Sequence, residues 1–119
     1  MNTDPLLDVL FFQTERGKEP VRDWLRGLPA EDRKAIGEEI KLVQFRWPLG
    51  MPIVRKIEPG LWEVRSSLRN SRIARIFFTV DGHDMVLLHG FEKKSQKTPL
   101  EALELARKRK KCYFEETQP

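Results

Sequence analysis

Cysteine is almost missing from this chain. Cys112 is the single thiol among 119 residues, so no internal disulfide can form and the thiol itself is expected to be incidental. Histidine is nearly as scarce, with only His83 and His89, and no His, Cys or carboxylate spacing builds a zinc site; neither a metal nor another cofactor is expected. There is no glycine-rich phosphate loop and no Gly-x-Ser-x-Gly elbow. No apolar run approaches the roughly 18 residues that cross a bilayer. The start, Met1-Asn2-Thr3-Asp4-Pro5, lacks the basic opening and apolar stretch of a secretion signal. These absences point to a cytoplasmic protein without membrane contact, and the length suits one domain over residues 1–119 rather than two.

What is present is charge on a globular frame. Three Trp and seven Phe need burial, which argues against disorder. The net charge of +4 is unevenly spread: residues 1–50 hold 8 basic and 9 acidic side chains, whereas residues 51–98 hold 9 and 5. A basic zone of this kind is the footprint of a phosphate-binding surface, although it also arises without one.

The periodicity predicts the elements. Leu6 to Gln13 is a short apolar run read as a first strand. Pro20 opens a helix carrying Val21, Trp24, Leu25 and Leu28, which Gly27 and Pro29 close. A second helix is expected from about Ala30 to Arg46, with Ile36, Ile40 and Val43 along one stripe, completing a helical hairpin. From Ile53 the period becomes two, giving strands at 53–57, 61–68, 73–80 and 85–89, with Asp81-Gly82 as a tight hairpin turn that also holds His83. Residues 90–97 read as a basic loop. Thr98-Pro99-Leu100-Glu101 reads as a capping box opening a last helix to about Lys111, and residues 115–119 as a frayed tail. The order implies an α+β fold: N-terminal strand, helical hairpin, antiparallel meander and a C-terminal helix, with helices packed on one sheet face and the other partly open.

Arginine and lysine on the strands and their connections are the candidates for chemistry. Arg55, Lys56, Arg69, Arg72 and Lys97 suit phosphate contact, and each also fits a plain solvated surface. Arg65 and Arg75 stand apart because they interrupt strand-forming segments. His89 titrates in the range a general base needs, but a hydrogen-bonded core histidine is an equal reading. Glu92 and Glu63 are further candidates for a base. Trp62 and Phe91 are aromatic surfaces on which a base can stack; core packing is favoured for Trp62.

Leu61-Trp62-Glu63-Val64-Arg65, Arg75-Ile76-Phe77-Phe78 and the Gly90-Phe91-Glu92-Lys93-Lys94-x-x-x-Thr98-Pro99 segment, with Leu28-Pro29 ahead of the second helix, closely resemble the phage-derived HigB-like branch of the RelE toxin superfamily. The resemblance covers nearly the whole chain. It implies a RelE-like fold, cleavage of messenger RNA on the ribosome, and a HigA-like helix-turn-helix antitoxin as partner. By position it implies that Arg65 and Arg75 neutralise the scissile phosphate with Lys93 and Lys94 beside them, while the base stays open among His89, Glu92 and Glu63. Two other activities fit the same scaffold: poisoning of DNA gyrase, as in the ParE branch, and blocking of RNA or ribosomes without cutting.

Overall fold

The computed structural model describes residues 4–93 and 99–117. The first strand, β1 (Asp8–Phe11), leads into two helices, α1 (Pro20–Arg26) and α2 (Ala30–Arg46). Four strands follow, β2 (Val54–Glu58), β3 (Leu61–Ser67), β4 (Ile73–Asp81) and β5 (Asp84–Lys93), and the chain closes with α3 (Leu100–Thr117). Pro20 fixes the backbone where α1 begins, and the Gly27 amide caps its end on the carbonyls of Asp23 and Trp24. A helix of seven residues does not persist alone. Tertiary burial of Val21 holds it.

The strand order is β1-β5-β4-β3-β2. The meander is antiparallel throughout, and β1 joins its far edge parallel to β5, so the sheet is mixed. One face carries Val54, Val64, Ile76, Phe78 and Leu87 against Ile36, Ile40 and Val43 of α2 and Val21 of α1. The other carries Leu61, Phe77, Val86 and Leu88 against Ala102 and Ala106 of α3. The α+β class and the element order agree with the sequence reading. The helices, however, lie on both faces: the alternating apolar residues of β4 supply two apolar surfaces, Ile76 and Phe78 on one and Phe77 on the other, and each needs a cover.

Two boundaries differ. The stretch read as a loop from residue 90 continues β5 to Lys93, because Gly90, Phe91, Glu92 and Lys93 extend the ladder opposite Ile76, Arg75, Ala74 and Ile73. Helix α3 also runs past Lys111 to Thr117, and Cys112 and Tyr113 pack at the margin of the second core. The expected Thr98 cap lies outside the described residues. Gly90 has a packing role: a Cβ there would stand 2.5 Å from Cε3 of Trp24, so its missing side chain lets α1 seat on β5.

Candidate functional site

The register sets two parallel rows of side chains on the α3 face of the sheet. Arg65 of β3 lies opposite Arg75 of β4, which lies opposite Phe91 of β5. Two residues along, Arg55 of β2 lies opposite Glu63, Glu63 opposite Phe77, and Phe77 opposite His89. Residues directly opposed across antiparallel strands share a face, so both arginines project from the same side.

Their surroundings differ sharply. Arg75 is 3% exposed and its Nη1 donates to Oε1 of the fully buried Glu63 at 2.5 Å. Among the described residues, Oε2 of Glu63 and Nε of Arg75 have no hydrogen-bond partner. Arg65 is half-buried and, among the described residues, forms no ion pair. It borders a cavity of about 230 Å³ with Ser67 and Ile73 of the sheet, Pro52 and Ile53, and Glu39 of α2, whose Oε2 is buried without a hydrogen-bond partner among the described residues. Two like charges opposed on a sheet repel. The Glu63 carboxylate offsets one of them and leaves the other for solvent or a ligand.

Phe91 packs on Phe77 at a centroid distance of 5.5 Å and stacks on His89 at 5.5 Å with 18° between the rings. Burial, and after it the charge of Arg109, pushes the His89 imidazole below its ordinary value of 6.5. It is therefore neutral near pH 7 and able to accept a proton. Nη1 of Arg109 donates to the Leu88 carbonyl at 2.8 Å, and its guanidinium sits 5.8 Å from the Phe12 ring centroid.

The other candidates fall elsewhere. Glu92 opposes Ala74 and belongs to the α2 face, where Nη1 of Arg72 reaches it; a base there cannot serve phosphate chemistry at Arg65. Arg72 also grips the buried Asp32 with both terminal nitrogens at 3.0 Å, and its Nε donates to the Arg69 carbonyl. Asp32, and then Glu92, hold Arg72 further toward its charged form. This clamp ties the 69–72 turn to the start of α2, so Arg72 has a structural task. Arg69 pairs on the surface with Glu31. Lys56 is exposed opposite Trp62 and so belongs to the α2 face, away from Arg55. Trp62 is core, edge-on to Trp47 at 5.0 Å. Lys93 ends β5 opposite Ile73, while Lys94 and Lys97 lie outside the described residues. His83 sits in the β4–β5 turn.

Sequence reasoning considered Glu63 only as a base and missed its pairing with Arg75. The signal was available: positions 63 and 75 are diagonal neighbours once 65 faces 75. Glu39 went unnoticed because it flanks the apolar stripe of α2 and belongs to no strand motif.

No helix among the described residues is long and apolar enough to cross a membrane. No curated protein matches the chain. Residues 23–111, running from within α1 to within α3, match the family described as phage-derived protein Gp49-like (DUF891). That span holds the whole meander, both opposed arginines and most of the helices that flank them, and the chain belongs to this Gp49-like family, a toxin family of the RelE toxin–antitoxin type.

Proposed function

We propose that this toxin is an endoribonuclease that cuts messenger RNA on the ribosome, with Arg65 as the cation that meets the scissile phosphate. The observation that carries the reading is the row Arg65, Arg75, Phe91: one arginine without a carboxylate partner among the described residues, one beside it held by Glu63, and an aromatic ring one strand further on. RNA supplies its own nucleophile. The ribose 2′-hydroxyl gives its proton to a base and attacks the adjacent phosphorus, the bond to the 5′-oxygen breaks, and an acid protonates that leaving oxygen. A cyclic phosphate and a free 5′-hydroxyl result. The protein must place a fixed positive charge at the phosphorane oxygens, and a guanidinium suits this with its planar pair of donors.

Arg75 takes a different role from the one its position implied. Buried and paired, it supports the site without touching the phosphate while that pair stands. His89 is the base this geometry favours over Glu92, because it shares the face of Arg65 and is neutral near pH 7. The reading also carries an antitoxin partner, in keeping with the toxin–antitoxin type of the family; that it is HigA-like follows from the sequence resemblance.

One observation favours a second reading. With Arg75 locked to Glu63, Arg65 is the one arginine of the row without an ion pair among the described residues, and a single such cation suits a protein that occupies the ribosome without cutting. Primer extension on a message translated with the purified protein separates the two. Defined cuts that disappear in Arg65→Ala support the nuclease. Stalled ribosomes on intact message support blocking, and loss of gyrase supercoiling with neither effect points to the ParE-like activity.

A further inference from the structure

Glu39 sits between Ile36 and Ile40 in α2, on the flank of the stripe that packs against the sheet. Its side chain is half-buried and forms no ion pair among the described residues. Its Oε2 is sealed from solvent and has no hydrogen-bond partner among them. A buried acceptor left without a donor is costly, and native interiors keep few of them.

The cavity that Glu39 lines is the one that Arg65 borders. Pro52 and Ile53 of the turn before β2, with Ile73 at the start of β4, supply apolar walls, and Ser67 supplies a hydroxyl. The Arg65 amide fixes the turn by donating to the Ile53 carbonyl at 2.8 Å. At about 230 Å³ the cavity falls below the roughly 300–1,000 Å³ of pockets for drug-sized molecules, and it suits one planar ring system. Apolar walls receive the faces of such a ring, while polar atoms read its edge. An RNA chain with a phosphate at Arg65 carries its two nearest bases one nucleotide to either side, within reach of this cavity.

We propose that this cavity takes the base of a nucleotide flanking the scissile phosphate, and that Glu39 selects guanine there. An ionised carboxylate accepts hydrogen bonds and donates none. The pairing edge of guanine presents two adjacent N–H donors, at N1 and N2, which match the two carboxylate oxygens. Adenine and cytosine each set an acceptor nitrogen beside the amino group, and uracil sets its single N–H between two carbonyls. Each of these three turns a lone pair toward the carboxylate, and that repulsion excludes it. Glu39 is therefore a specificity-determining residue and takes no part in bond breaking. The proposal rests on the nuclease reading above.

The test maps every cut that the full chain makes in ribosome-bound messages carrying all four bases on either side of many phosphates. At one fixed position beside the broken bond, the wild type should favour guanine about tenfold or more over each other base. Glutamine keeps the shape of glutamate but exchanges one acceptor for a donor, the pattern that adenine matches. Glu39→Gln should therefore lose the guanine excess and raise adenine relative to guanine. Glu39→Ala, a second route to that loss should the glutamine variant not fold, should level the four bases. A purely structural Glu39 would leave the base ratios as they are in the wild type. Such unchanged ratios, or a wild type that cuts without a guanine excess at any fixed position, overturn the assignment and leave the nuclease reading intact. A wild type that cuts no message sinks the nuclease reading, and this assignment with it.

Discussion

Arg65 and Arg75 face each other across β3 and β4, and among the described residues only Arg75 has a counter-charge, the buried carboxylate of Glu63. The contrast divides the labour of two side chains that look alike in the sequence. One is half-buried and, among the described residues, without an ion pair. The other is part of the sheet's interior, at 3% exposure, with its charge offset by Glu63.

Removing one member of the buried pair should unfold more than it disarms. Arg75→Ala strands the Glu63 carboxylate in the interior, and a loss of about 3–5 kcal/mol of unfolding free energy is expected, measured by urea denaturation. The paired replacement Glu63→Leu/Arg75→Leu should recover most of that loss, because it removes both desolvated charges. Arg65→Ala should stay near wild-type stability.

Stability should depend on pH through His89. Its folded value lies below 6.5, so the unfolded chain takes up this proton first as pH falls. The contribution is present above about pH 6.5 and is lost in the window beneath it. Urea midpoints measured at about pH 7.5 and 5.5 should therefore fall toward acid in the wild type, and fall less in His89→Gln. If His89 is also the base, cleavage should persist from about pH 7.5 through 6.5.

Two glycines give opposite results on substitution. Gly90→Ala drives a Cβ into the Trp24 ring and should cost about 1–3 kcal/mol, as overpacking does. Gly37 lies inside α2, where an added methyl would meet nothing within 4 Å, and Gly37→Ala should add about 0.5–1 kcal/mol. Thermal melts of the two variants check both signs.

The two arginines of the 69–72 turn should separate as well. Arg72→Ala leaves the buried Asp32 without its bidentate partner and should lower the denaturation midpoint clearly. Arg69→Ala removes a pair between side chains that are 75% and 58% exposed, and no measurable change is expected.

Much of the frame was legible from residue pattern. Pro20, Gly27 and Pro29 bound α1, the stripe Ile36, Ile40, Val43 marks α2 at its observed limits, and period-two alternation with Asp81-Gly82 gives the meander. Three things were not legible. Pairing of β1 with β5 sets Asp8 beside Asp84, far apart in the sequence, and no local signal encodes such a contact. The second helical layer follows from β4 being apolar on both faces, which periodicity reports as burial without naming the cover. The Gly90-Phe91-Glu92 segment mixes a packing glycine, an aromatic on the α3 face and a carboxylate on the α2 face. Its composition suggests one functional loop, and only the strand register divides it.

Arg65 is the residue on which the nuclease reading stands or falls. Single-turnover cleavage of ribosome-bound message, followed by primer extension, should slow about 10²- to 10³-fold in Arg65→Ala with the fold intact, the loss typical of one preorganised charge-stabilising donor. An Arg65→Ala protein that is folded and cuts at the wild-type rate contradicts it.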